Sequence, residues 1–288
     1  MTSRLLRYAA FARDPAGGNP AGVWIDERLP SADEMQAIAA GVGYSETAFV
    51  AAPDAAGRRQ VRYFSPVAEV PFCGHATIAA AVALGNLGGG ERQRFETPAG
   101  GIEVRVSRDD GARIATLVSA PPRIAPVPDQ LLREALAALD WREDELDPSI
   151  PPALAFAGAW HLVLATRTRQ RLATLAYDFE RLRATMLTHD LTTLQLVWRE
   201  SENVFHARNP FPVGGVVEDP ATGAAAAALG GYLRDAGLLA APARFTIHQG
   251  EAMGRPGRLL VDVPVAGGIA VSGHAVPIPD PSPAGEPR

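Results

Sequence analysis

Two similar α/β (α+β) halves, each a strongly curved mixed β-sheet or barrel around one central helix, are the architecture the sequence predicts. Three observations point to it. Two Ala-rich helices, opening at "GHATIAAAVAL" (74–84) and "GAAAAALGGYL" (223–233), are apolar or small all round, so each must be buried on every side. Each follows the same run of strand, Pro, loop and Gly step: "VRYFSPVAEVPFCGHATIAAAVAL" (61–84) parallels "VFHARNPFPVGGVVEDPATGAAAAALGGYL" (204–233). Their first glycines, Gly74 and Gly223, lie 149 positions apart, about half of the 288-residue chain, as an internal duplication would place them. The active cleft is expected between the halves, facing both helix starts.

Each element has its own signal. "RLLRYAAFA" and "AGVWID" read as strands parted by the Gly/Pro/Asn loop "RDPAGGNP". "SADEMQAIAAGVG" is a helix announced by a capping box, Ser31 with Glu34 three residues on. "TAFVAA" and "RQVRYFSP" are strands, then comes the helix begun at "GHAT". Residues 93–120 read as a three-stranded meander with turns at 98–101 and 109–111. "PPRIAPVP" (121–128) reads as a linker. Beyond it, "LLREALAAL" and "DFERLRATML" are helices, and "AWHLVLAT", "LTTLQLVW" and "NVFHARNP" are strands. The second Ala-rich helix is followed by the strands "ARFTIHQG" and "GRLLVDVPV". The halves are placed at 1–120 and 129–271, with 272–282 packing back on the first and 283–288 as a frayed tail.

Composition excludes several classes of function. Apolar residues make up 47% and charged ones 20%, which is a globular balance with no apolar run long enough to span a membrane. The opening "MTSRLLRYAAFARDPAGG" has no apolar core of a signal peptide, so a cytoplasmic location is expected. Net charge is −5 without a basic stripe, which argues against nucleic acid as a partner. One cysteine makes neither an internal disulfide nor a multi-Cys zinc site, and the six histidines show no HxxxH-like spacing, so no metal is expected. The chain has no lysine. That removes Schiff-base chemistry and a Walker A loop, and no GxGxxG follows a strand, so no cofactor is expected.

The residues left to carry chemistry cluster at the helix starts. A helix N-terminus presents backbone N–H groups and partial positive charge, and Gly74 and Gly223 let a ligand approach them; close packing of glycine is the plainer alternative. Glu46, in "YSETAFV", is either an exposed strand-start carboxylate or, if buried, a general acid/base with raised pKa. Asp219, in "VEDPATG", is either a turn or cap residue or a substrate ligand, and His75 is either a satisfied first-turn residue or a substrate ligand. Cys73 near a helix start could be a nucleophile. A two-thiol racemase needs a partner cysteine from the other half, and there is none, so an inert core cysteine is expected.

Taken together, "GNPAGV" (18–23), "SETAFV" (45–50), "RYFSPVAEVPFCGHATIAA" (62–80), "EDPATGAAAAAL" (218–229) and "QGEAMGRPGRLLVDV" (249–263) resemble the PhzF phenazine-biosynthesis family, of diaminopimelate-epimerase-like fold. The resemblance implies an isomerase that needs no cofactor or metal and is similar to trans-2,3-dihydro-3-hydroxyanthranilate isomerase. It implies a small carboxylate-bearing substrate and a homodimer. Glu46 would be the proton-transferring carboxylate, with His75 and Asp219 as polar substrate ligands. Gly74, Gly223, Ala224, Ser45 and Asn19 would line the substrate. Ala224 stands where the family pattern usually has Ser, which removes one hydroxyl from the pocket. A non-catalytic metabolite- or protein-binding member is the alternative.

Overall fold

The computed structural model of the chain describes residues 3–279; the tail at 283–288 lies outside them. The chain divides into two compact units, one running to Thr116 and resuming at Gly273, the other being Leu117–Ser272.

In the first unit, β1 (Arg4–Ala10) and β2 (Asn19–Ile25) pair antiparallel. Helix α1 (Ala32–Val42) begins at a full capping box: the Glu34 N–H donates to Ser31 Oγ, and the Ser31 N–H donates to the Glu34 carboxylate at 2.9 Å. It returns the chain to β3 (Glu46–Val50), parallel to β2 with Glu46 opposite Ala21. Gly22 permits this approach, because a Cβ there would lie 2.5 Å from Thr47 Oγ1. β4 (Arg58–Phe64) pairs antiparallel with β3 and carries the two-residue strand β5 (Glu69–Val70). After α2 (Gly74–Asn86), β6 (Arg92–Thr97) runs parallel to β4, and β7 (Gly100–Asp109) pairs antiparallel with β6. β8 (Ala112–Val118) follows the Asp110–Gly111 turn, where both residues have positive φ. The chain's last strand, Ala270–Pro277, pairs with β1 and with β8 and closes the ring. Inside it, α2 is buried at every position from His75 to Gly85. Small residues make that possible, since a Cβ on Gly85 would sit 3.1–3.2 Å from Arg113 and Val106.

The second unit repeats the pairing order. It consists of β9 (Arg123–Ala125), α3 (Asp129–Leu139), β10 (Ala153–Phe156), β11 (Trp160–Ala165), α4 (Arg169–Ala173), α5 (Phe179–Thr188), β12 (Thr193–Ser201), β13 (Val204–Phe211), β14 (Val216–Asp219), α6 (Gly223–Asp235), β15 (Ala243–Gln249), β16 (Gly257–Val263) and the first three residues of β17 (Ala270–Pro277), the strand whose remainder belongs to the first unit. β10–β11 are antiparallel, β11–β12 parallel, β12–β13 antiparallel, β13–β15 parallel and β15–β16 antiparallel. That is the sequence of senses found from β1 to β7, with β14 on β13 as β5 is on β4. Helix α6 is buried from Ala225 to Leu233.

The segment 121–128 is not a free linker. It contains β9, antiparallel to β10, and a Cβ on Gly231 of α6 would lie 2.3 Å from Pro122. The prolines flank a three-residue strand rather than interrupt it, so no ladder N–H is lost.

Matching registers give residue equivalences between the units. Val70 and Asp219 each stand four residues before the helix's first glycine, opposite Tyr63 and Asn209 respectively. Carried through the β3–β4 and β12–β13 registers, Glu46 corresponds to Thr193. The parallel pairs agree, because Glu46 faces Ala21 and Thr193 faces His161. Cys73 corresponds to Thr222, and His75 to Ala224.

Candidate active site

Helix α2 begins at Cys73, whose extended backbone makes it the N-cap without any side-chain cap bond. Its carbonyl accepts from the Thr77 hydroxyl at 2.6 Å, and Thr77 is tied to the buried Tyr63 hydroxyl at 2.7 Å. This anchoring fixes the first turn and so fixes His75, which is buried at 6% exposure.

Four side chains converge on the His75 ring. Asn19, at the start of β2, places its amide nitrogen 3.1 Å from Nδ1. Ser45 Oγ lies 3.3 Å from Nε2, and Glu46 Oε2 lies 3.4 Å from the same atom. The Cys73 sulfur is 3.4 Å from Nδ1. With Asn19 Nδ2 donating to Nδ1, the ring proton sits on Nε2, facing Ser45 and Glu46.

Glu46 is not an exposed strand-start carboxylate; its side chain keeps only 16% exposure. Burial raises its pKa above the usual carboxylate value, against the smaller lowering effect of hydrogen bonds from Ser45 and Cys73. A carboxylate held this way is a better proton acceptor than one in water and retains an imidazole N–H beside it. The ligand atoms of Glu46, Cys73 and His75 lie within 4.8 Å of one another, which makes them the one set among the described residues compact enough to hold a metal ion. Both ring nitrogens of His75 already have side-chain neighbours in Asn19, Ser45 and Glu46.

The structure therefore brings Asn19, Ser45, Glu46, Gly74 and His75 into one constellation in the first unit. Asp219, Gly223 and Ala224 form a second group in the other unit. There Asp219 ends β14 and accepts from the Thr222 hydroxyl at 2.6 Å. Ala224 occupies the place of His75, and Thr193 that of Glu46, so the second unit repeats the scaffold without the carboxylate and the imidazole.

Two side chains have contacts that a reading of the sequence does not reach. Cys73, expected to be an inert core residue, touches both Glu46 and His75. Gln249 holds the loop before α6, which depends on the parallel register that sets it beside Ala207. Its place in "QGEAMG" was the only signal available, and that motif does not state a contact.

The sequence matches the PhzC-PhzF family, described as phenazine biosynthesis-like protein, over residues 8–280. The chain belongs to this family. Among PhzC-PhzF relatives, an uncharacterized isomerase of Bacillus subtilis, YfhB, is 32% identical over 95% of this chain and 96% of its own length. The trans-2,3-dihydro-3-hydroxyanthranilate isomerase of Pseudomonas aeruginosa is 31% identical over 94% of this chain and 95% of its own. A PhzF-family protein of Bacillus anthracis shares the fold, with a TM-score of 0.85 at 24% identity over 97% of this chain and 98% of its own. End-to-end similarity to named isomerases makes this PhzC-PhzF chain an isomerase.

Proposed function

We propose that the protein is a cofactor-independent isomerase of a small carboxylate-bearing metabolite, with Glu46 as the single proton carrier. The observation that carries this reading is the asymmetry between the repeats. A buried carboxylate with raised pKa stands at Glu46, beside His75, whereas Thr193 and Ala224 occupy the matching places. A racemase of two bases needs one from each half. A single carboxylate suits a reaction in which the same proton leaves one carbon and returns to another.

In that reaction Glu46 takes a proton from a C–H bond, and the electron pair enters the adjoining double-bond system. The resulting carboxylic acid then returns the proton to a different carbon. No atom is gained or lost and no oxidant is needed. Ser45 and His75 hold the carboxylate in place. By the family resemblance, Asp219 is a polar ligand of the substrate. Trans-2,3-dihydro-3-hydroxyanthranilate, the substrate in the name of the Pseudomonas relative, is the first compound to test. Ala224 favours a variant of it with less demand for a hydroxyl donor at that point.

The test is isomerisation of this compound, with the moved hydrogen followed by NMR. Glu46→Gln keeps the shape but cannot accept the proton, so turnover should fall by about 10²–10⁴-fold. Turnover unaltered in Glu46→Gln would remove Glu46 from the chemistry, and binding without turnover in the unmodified protein would favour a binding role.

A further inference from the structure

Gln249, at the end of β15, is 2% exposed and makes three side-chain hydrogen bonds, all to the loop that leads into α6. Its Nε2 donates to the Asp219 carbonyl at 2.8 Å and to Thr222 Oγ1 at 2.9 Å. Its Oε1 accepts from the Thr222 N–H at 3.2 Å. These three bonds allow the amide only one orientation, since a flip would set its NH₂ against the Thr222 N–H. Thr222 Oγ1, having accepted from Gln249, donates its own proton to Asp219 Oδ2 at 2.6 Å.

Thr222 is the N-cap of α6, yet its side chain makes no cap bond to the helix. A threonine at this position ordinarily accepts from a first-turn N–H. Here the hydroxyl is turned to the carboxylate instead. Gly250 lets the chain fold close behind the loop: its φ is +83°, and a Cβ there would lie 2.7 Å from the Pro220 carbonyl.

The other unit lacks the whole device. By register, Val70 stands in the place of Asp219 and Thr97 in that of Gln249, and the Thr97 hydroxyl donates to the Gly100 carbonyl. Helix α2 starts without such a clamp, so the repeated fold does not require one. The clamp occurs in the unit whose loop carries a carboxylate at this position.

We infer that Gln249 is a positioning residue that aims the Asp219 carboxylate at the substrate's polar groups by way of the Thr222 hydroxyl. This rests on the reading of Asp219 as a substrate ligand. Its test needs no substrate, so it can fail independently of the isomerase reading. The Asp219 carboxyl carbon, assigned by comparison with Asp219→Asn, is followed by ¹³C NMR against pH. Removing a bond donated to the charged form raises a carboxyl's titration midpoint, so Gln249→Leu and Thr222→Val should each raise it by about half a pH unit or more. The double variant should go no further, and Thr222→Ser should stay at the original midpoint. Thr222→Val tests the same link with Gln249 untouched if Gln249→Leu does not fold. A midpoint unmoved by Thr222→Val, or shifts that simply add in the double variant, overturns the inference.

Discussion

The burial that would suit Glu46 to the proposed proton transfer works against the fold. Its folded-state pKa is raised, chiefly by desolvation. Between the usual carboxylate value and the raised one, the folded protein holds a proton that the unfolded chain has lost. Stability from this group is therefore fully present below the unfolded value and is lost as pH rises through the folded one. Glu46→Gln should match or exceed the unmodified protein in melting temperature at pH 7–8 and lose that advantage near pH 4. A Gln variant less stable at every pH would show that the carboxylate is stabilising where it stands. Cys73 acts on the same group. Removing its hydrogen bond should raise Glu46 further, so Cys73→Ala should shift the acid limb of the activity profile to higher pH and keep kcat within about tenfold, a small share of what general acid–base catalysis supplies. A loss of a thousandfold in a folded variant would make the thiol itself a reacting group.

At the level of elements, the α2 start was legible and the strands around it less so. An Ala-rich helix after Pro, Cys and Gly announces burial by composition alone, and the Ser31–Glu34 box announces α1 to the residue. β10 and β17 gave no comparable signal, since "ALAF" and "AVSGHAVP" are short, apolar or mixed, and owe their pairing to neighbours distant in sequence. The contacts of Glu46, Ser45 and Asn19 with His75 were likewise beyond periodicity, because they join the ends of β2, β3 and α2. In the second unit the same strands make a buried structural polar cluster. His161 Nδ1 pairs with Thr193 Oγ1 at 2.9 Å, and burial pushes the imidazole down to about 4. The unfolded chain takes up this proton near pH 6.5, so stability from a neutral buried His161 is present above that value and is lost as pH falls toward 4. The full window is worth about 3 kcal/mol. His161→Gln should flatten this part of the urea-midpoint profile between pH 6.5 and 4.5. If the profile keeps its slope, other groups drive the acid loss.

For the whole molecule, duplication was readable because it repeats spacing, and the isomerase reading came from motifs along the chain that resemble the PhzF family, while the break in the repeat emerged only from the strand registers. The helix starts recur 149 positions apart, while Glu46, Cys73 and His75 have Thr193, Thr222 and Ala224 as counterparts. The return of the 272–282 segment to the first half was expected; the contacts by which it completes that unit were not. Its ring is closed by residues from Gly273 on, drawn from the far end of the chain. The His274 carbonyl accepts from the Phe11 N–H at 2.7 Å, and the His274 ring reaches Asp109 at 2.9 Å and the Arg113 carbonyl at 3.0 Å. Phe11 itself is buried with φ +62°, and a Cβ on Gly273 would lie 2.2 Å from its ring. A positive φ on a bulky residue persists only where its surroundings enforce it. Ending the chain after Ser272 removes that enforcement and opens β1 and β8 as bare edges beside the strands that carry Asn19 and Glu46. The truncated protein should lose isomerase activity, and hydrogen exchange should quicken across β1, β2 and β8 while α6 and its strands keep their protection. Adding residues 273–279 back as a separate peptide should restore protection in the first unit, because β-pairing needs the strand and not its covalent link. Uniform loss of protection across both units would instead mean that the molecule folds as one cooperative whole.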